Sequence, residues 1–252
     1  MPSDRPGSLG ELDLEEHLSN PALRQSFVTP MFDLIAPRYD RFTRVFSFGM
    51  DSRWKTALVT VASRSIAQGG AVCDIATGTG DLAFSLARAR PDLEIFASDV
   101  SLNMLALARE RRDARSKVRV AAADIATLPF GDGALDAVTA GYALRNTPDW
   151  RASLGELSRV LGKGGHLFTL DFFLPESPVW RSLFLSWLSV AGNVVGWAWH
   201  REPVVYGYIA HSIRHFTTAR EFGRALHDNG FDVVATHPRL GGGIALHHAV
   251  KR

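Results

Sequence analysis

The stretch VCDIATGTGDLAF, residues 72–84, decides how the chain folds. An apolar run ends in Asp74, a glycine-rich turn follows through Gly78-Thr79-Gly80, and an apolar-periodic segment starts after Asp81. A strand, a tight turn and a helix in that order receive a nucleotide, because the helix N-terminus offers bare N–H groups where glycine lets the backbone come close. Working outward, the same alternation repeats. LEIFASDV, VRVAAAD, LDAVTAGYAL and GHLFTLDFF read as strands, the last after a Gly164-Gly165 turn. Between them, DLAFSLARAR, SLNMLALARERR and WRASLGELSRVL read as helices, with Ser101 as an N-cap. After an apolar insert come the helix TAREFGRALHDNG and the strands FDVVATH and GIALHHAVK, which have no helix between them and should pair as an antiparallel hairpin at one edge. Residues 25–67 read as mostly helical, broken at SFGMD. The expectation is an α/β fold: a doubly wound, mainly parallel sheet of about seven strands with an antiparallel last strand.

Bulk properties narrow the function. At 252 residues and 27.6 kDa, 46% apolar and 21% charged, the chain suits one globular domain. A net charge of +2 without a dense Lys/Arg cluster excludes the usual nucleic-acid binder. Cys73 is the single cysteine, which excludes an internal disulfide and a cysteine zinc site, and fits a cytoplasmic compartment. Residues 1–24 read as a polar, partly disordered lead-in without a signal-peptide core, and residues 25–252 as one domain with a cap insert near 177–216. Within that insert, residues 182–199 carry no charge, a length at the lower edge for a membrane span. Asn193, the serines and the glycines weaken a span, whereas Trp180, Leu183, Phe184, Trp187, Leu188 and Ala191 recur at helical spacing. They predict a cap helix with one strongly apolar face over a greasy substrate, touching the inner face of a membrane peripherally.

Which nucleotide the glycine turn receives is settled less by spacing than by charge. Gly78, Gly80 and Ala83 fit the dinucleotide pattern, and Asp99 ends the next strand where a ribose-binding acid belongs, so NAD stays open on spacing. A pyrophosphate, however, would meet Asp81 at the helix mouth and Asp74 before the turn. Two carboxylates suit a ligand with a ribose, a positive charge and no phosphate, as in S-adenosylmethionine. Its expected contacts are Asp74, Thr77, Gly78, Gly80, Asp81, Asp99 and Val100, with Met104 packed on the adenine and Asp124 and Ile125 meeting its edge.

FDLIAPRYDRFTRVFSFGMDSRWK, DIATGTGD, ALRNTPDW, SRVLGKGGHLFTLDF, YGYIAHSIRHF and GGGIALHH together resemble, in order and over roughly residues 27–252, the signatures of the ubiquinone/menaquinone biosynthesis C-methyltransferases, the UbiE family. The resemblance implies the class I methyltransferase fold and methyl transfer from S-adenosylmethionine to a ring carbon of a reduced prenylated quinone. It implies Arg145, Asn146 and Tyr39 as catalytic residues, and Tyr206, Tyr208, Ser212 and Arg214 on the acceptor side. Three positions depart from the family pattern: Thr43 for Asn, Thr217 for Pro, and His211 for Glu, which loosens the acceptor assignment. A methyltransferase of another phenolic or polyketide-like metabolite is one alternative; a non-catalytic partner in a lipid biosynthetic complex is another. His211 and His215 lie four apart, but lack a carboxylate partner in sequence, so no metal site is expected. The expected partners are a lipid-like aromatic acceptor, a bilayer surface at the 180–199 helix and a second copy in a homodimer.

Overall fold

The computed structural model describes residues 21–38, 43–44, 47, 49–113, 116–200 and 204–252. Among them are the helices α1 (Pro21–Ile35), α2 (Met50–Ser65), α3 (Asp81–Ala89), α4 (Leu102–Arg111), α5 (Trp150–Val160), α6 (Pro178–His200), α7 (Val204–Arg214) and α8 (Ala219–Asp228). The strands are β1 (Ala71–Ile75), β2 (Glu94–Asp99), β3 (Arg119–Ala122), β4 (Leu135–Gly141), β5 (Leu161–Phe172), β6 (Phe231–Arg239) and β7 (Ile244–Lys251).

One sheet runs in the order β3-β2-β1-β4-β5-β7-β6. The first five strands are parallel, and β7 lies antiparallel between β5 and β6, as the missing helix predicts. Order reverses between β1 and β4, so the crevice for a ligand opens beyond their carboxyl ends. Successive side chains point to opposite faces of a strand. Val72, Ala137, Phe168 and Leu246 therefore meet α2 and α3, while Cys73, Val138, Leu167 and Ala245 meet α5 and α8. Strands buried on both faces explain the unbroken apolar runs seen in the sequence.

A third apolar body stands above the sheet. It joins Val28, Met31 and Ile35 of α1, Met104 of α4, Phe184, Leu185 and Leu188 of α6, and Tyr208, Ile209 and Ile213 of α7. These segments form the cap.

Helix α1 is described from Pro21, within the stretch 1–24 read as lead-in. Two expectations need correction. Strand β5 begins at Leu161, before the Gly164-Gly165 turn: Leu161 pairs with Leu135, and the register then jumps to His166 opposite Ala137. Helix α6 buries Phe184, Leu185 and Leu188, whereas Trp180, Leu183 and Trp187 of the expected apolar face are 38%, 59% and 40% exposed. The helix is apolar nearly all round, so periodicity alone cannot say which stripe packs. Among the described residues no helix is long and apolar enough to cross a membrane.

His247 on β7 supplies a test of this packing. It is wholly buried between Phe173 and Phe222, its Nε2 lies 3.0 Å from the Ala219 carbonyl, and its Nδ1 has no hydrogen-bond partner among the described residues. Burial holds its pKa down at about 4, against 6.5 for the free group. The folded state keeps the ring neutral while the unfolded chain takes up a proton, so this site loses stability as pH falls from 6.5 towards 4. His247→Gln should destabilise at neutral pH by about 1–3 kcal/mol through the lost hydrogen bond and ring packing. Urea unfolding should find that deficit reduced by on the order of 2 kcal/mol at pH 5, because the variant has no ring to keep neutral. A deficit independent of pH would mean that His247 is not held neutral in the fold.

Candidate active site

Beyond β1 the chain turns through three residues of positive φ, Ala76 (47°), Gly78 (56°) and Gly80 (88°). A Cβ on Gly80 would stand 2.3 Å from the Phe84 ring, so this glycine is required by the close seat of α3. Gly78 serves the cleft directly, since its N–H donates to Asp99 Oδ2 at 2.8 Å. Asp99 Oδ1 accepts from the Ser101 N–H at 2.9 Å. Burial raises the Asp99 carboxyl above its ordinary pKa, and these backbone donors oppose the rise. Ser101 also caps α4 as predicted, accepting from Met104 N at 3.1 Å while its hydroxyl donates to Asp33 of α1. That bond brings α1 across the site, where Val28, Thr29 and Phe32 form one wall of a cleft.

Six residues predicted for the cofactor line this cleft: Gly78, Asp99, Val100, Met104, Asp124 and Ile125. The other four lie elsewhere. Asp74 is 1% exposed beneath the loop, accepting from the Thr77 hydroxyl at 2.5 Å and the Thr139 hydroxyl at 2.6 Å. Burial pushes its carboxyl up to about 6, against the pull of those hydroxyls. Asp74 and Thr77 thus brace the loop, and Gly80 seats the helix. Asp81 faces Lys55 at 3.0 Å and Arg111 at 2.8 Å; burial alone would raise its carboxyl, and the two cations hold it below its ordinary value.

The charge argument against a pyrophosphate therefore changes its residues. Asp74 and Asp81 do not line the cleft. Asp99 and Asp124 do, and no lysine, arginine or histidine lines it among the described residues. Two carboxylates and no cation favour a positively charged ligand over a phosphate. Met104 and Ile125 offer the apolar sides that a flat heterocycle needs, and Asp99 lines the cleft as an acceptor suited to ribose hydroxyls. The donor set fits S-adenosylmethionine.

Past β4, the predicted catalytic pair divides. Asn146 lines the cleft; its Nδ2 donates to the Tyr142 carbonyl at 2.9 Å, and its Oδ1 accepts from Tyr208 at 2.5 Å. Arg145 turns inward at 5% exposure, with Nη1 at 2.9 Å from both the Tyr142 carbonyl and Asp171 Oδ1. Asp149 caps α5. Burial raises the Asp171 carboxyl and Arg145 opposes that shift. Tyr208 of α7 is buried, and burial lifts its phenol well above the ordinary value. Ser212 is buried and donates to the Ile209 carbonyl at 2.9 Å, so it serves α7 itself, and Arg214 is exposed. Tyr39 lies outside the described residues, and of Tyr206 only the backbone is described.

Sequence reasoning missed Tyr142. It lines the cleft at a φ of 59°, an outlying conformation for an aromatic residue, and its hydroxyl donates to Asp51 of α2 at 2.8 Å. Its place between β4 and the Arg145–Asn146 pair was the available signal. The α1 wall and Asp171 were missed as well; no local pattern marks either.

Comparison with known proteins agrees with this geometry. The model of the ubiE/COQ5 methyltransferase family matches residues 21–251. A demethylmenaquinone methyltransferase of Thermus thermophilus is 38% identical over 208 residues, covering 81% of this chain and 92% of that protein. A ubiquinone/menaquinone biosynthesis C-methyltransferase of Syntrophotalea carbinolica is 34% identical over 223 residues, covering 86% and 91%. Among solved structures, a Thermotoga maritima S-adenosylmethionine-dependent methyltransferase superposes with a TM-score of 0.60 at 18% identity, covering 88% of this chain and 99% of that one. A Streptomyces coelicolor geranyl diphosphate C-methyltransferase, solved with S-adenosyl-L-homocysteine, gives 0.58 at 17% identity, covering 80% of each. At such identities the superpositions establish the fold alone.

Calorimetry should separate the acids. Asp99→Asn is expected to weaken S-adenosylmethionine binding by about 10- to 100-fold, the loss of charged hydrogen bonds worth roughly 1.5–3 kcal/mol. Asp81→Asn should change that affinity less than threefold, since its ion pairs lie outside the cleft. Equal losses from both would place Asp81 at the ligand.

Proposed function

Because the chain belongs to the ubiE/COQ5 methyltransferase family, we propose that it methylates a ring carbon of a reduced prenylated quinone, a demethylmenaquinol or ubiquinol precursor. Bound in the cleft, S-adenosylmethionine supplies an electrophilic methyl on a cationic sulfur. The observation that carries the acceptor class is the cap. Val28 and Phe32 of α1 line the cleft and belong to the apolar body that α1 shares with α6 and α7, which suits an aromatic ring with a hydrocarbon tail.

Asp99 and Asp124 hold the cofactor by its ribose and adenine, and Met104 packs on the base. Phe32 and Val28 exclude water from the cleft, which strengthens every charge interaction inside it. A ring carbon becomes nucleophilic when the neighbouring hydroxyl is ionised or strongly hydrogen-bonded, and an in-line displacement then depends mostly on positioning. Asn146 is the group for that hydroxyl, because both ends of its amide are already fixed by Tyr142 and Tyr208. Arg145, catalytic by the resemblance, acts in this reading as a positioning residue: paired to Asp171, it holds the turn that presents Asn146. The ring proton leaves to water or to a base. Tyr39 keeps its role from the family pattern.

The purified protein with S-adenosylmethionine and a short-tailed demethylmenaquinol should yield a product heavier by one methyl, and none with the oxidised quinone. Asn146→Ala should lower turnover about a hundredfold while leaving cofactor affinity within a few-fold. No product from the quinol, with S-adenosylmethionine still bound by calorimetry, would move the acceptor to another phenolic ring.

A further inference from the structure

One buried cation of the cap has no part in the mechanism above. Arg24, in the first turn of α1, is 6% exposed, and its Nη1 donates to the Thr147 carbonyl at 3.0 Å. Steps of four along the helix put it on the face of Val28 and Phe32, both of which line the cleft. It lies about 6 Å along the axis from Val28, at the end of the cleft lined by Asn146, Thr147 and Pro148. Packing does not ask for a guanidinium there. Val28 and Phe32 fill the same face one and two turns on, and arginine is far the costlier side chain to take from water.

We propose that Arg24 is a positioning residue for the methyl acceptor: its charge, placed at the Asn146–Tyr208 end of the cleft, favours the ionised form of the acceptor hydroxyl. The inference rests on the phenolic acceptor proposed above. Groups from five places meet at this end. They are Arg24 of α1, Arg145 after β4, Asp171 of β5, Asp149 at the start of α5 and Tyr208 of α7. Asp171 lies 2.9 Å from Arg145, and Asp149 spends its carboxylate on the first N–H groups of α5. Asp99 and Asp124 follow β2 and β3, on the far side of the switch point.

The Tyr208 hydroxyl, which donates to Asn146 Oδ1, reports the field at this place. Burial lifts its phenol; against burial act Arg145 and then Arg24, each a larger influence than the opposing Asp171. An acceptor hydroxyl bonded to the same amide meets the same two cations. In a cleft from which water is excluded, one such charge moves an ionisation by about one pH unit or more. Arginine stays charged when buried, so the effect is present at every working pH. Since α1 is also the wall that keeps water out, charge and desolvation reach the acceptor on one element.

The test is the pH profile of the whole protein at saturating S-adenosylmethionine and demethylmenaquinol, where turnover rises with pH as the bound acceptor ionises. Arg24→Gln should move that limb up by about one unit, a loss of about tenfold on its lower part that closes at high pH. Arg24→Met, which retains the stem, should behave alike, and Arg24→Lys should hold the limb in place. Circular dichroism and S-adenosylmethionine binding report separately whether each variant still folds. A second titration needs no methyl transfer. 1-Naphthol bound beside S-adenosyl-L-homocysteine, followed by absorbance, should ionise about one unit lower on the unaltered protein than on Arg24→Gln. Equal profiles for the unaltered protein and both uncharged variants would overturn the proposal and leave Arg24 a latch for α1. So would a shift in Arg24→Lys as large as in Arg24→Gln. A quinol that is not methylated, with the naphthol shift present, would overturn the acceptor and uphold Arg24; without that shift, both fall.

Discussion

The Asp99 carboxylate is the constraint on which the upper half of the molecule depends. At 9% exposure it would be costly without donors. Among its donors are backbone N–H groups at fixed places in the chain, one in the glycine loop after β1 and one at the start of α4. Satisfying one side chain therefore sets the distance between two loops. Ser101 extends the arrangement by a third segment, through Asp33 on α1. The acid that would hold the ribose is also the acid that assembles the walls around it. Ligand recognition and local folding use the same atoms.

The strained residues complete the cleft from the other side. Ala76 and Tyr142 follow neighbouring strands, both have positive φ, and both line the space between β1 and β4. Such conformations persist only where the surroundings over-determine them. For Tyr142 they do. Its N–H donates to the Leu170 carbonyl at 2.6 Å, its own carbonyl accepts from Arg145 and Asn146, and its hydroxyl is held by Asp51. The buried Arg145–Asp171 pair gains little net stability, since two desolvated charges largely cancel what their attraction returns. Its value is geometric. Without a cation beneath it, the Tyr142 carbonyl would lose one of two donors, and the turn carrying Asn146 would lose its shape.

What could be read from the sequence was local. Strand period, glycine spacing and the acids at successive strand ends gave the sheet, the loop and six cleft residues, because each is fixed within a few residues of itself. Asp74 and Asp81 meet protein partners that the sequence did not announce, because a carboxylate beside a glycine loop looks the same in sequence whether it faces a ligand or a partner. The partner of Asp81 on α2 is 26 residues away and that on α4 is 30. Arg145 finds Asp171 across 26 residues, and Tyr142 finds Asp51 across 91. No periodicity encodes such meetings; they follow from which strands become neighbours. The family pattern named Arg145 and Asn146 as a pair, and only the fold separates the one that faces the cleft from the one that supports it.

The same limit applies to α6, whose sequence holds two apolar stripes and no sign of which packs. The decision falls to its neighbours, and the run of glycines before β7 is part of it. A Cβ on Gly241 would lie 2.6 Å from Trp180 Nε1, and one on Gly243 would lie 2.6 Å from Phe184. Glycine at these positions lets the two aromatics settle on the β6–β7 turn, where Trp180 also donates to the Leu240 carbonyl at 2.8 Å. Rotating α6 to bury Leu183 and Val190 instead would lift Phe184 off that turn. The cap is thus seated by indole and phenyl on bare backbone at one side, and by the Tyr208 hydroxyl on Asn146 at the other. A helix fixed at those points has no freedom left to hide its second stripe, which is why so much apolar surface stays outside a domain that otherwise covers both faces of its sheet.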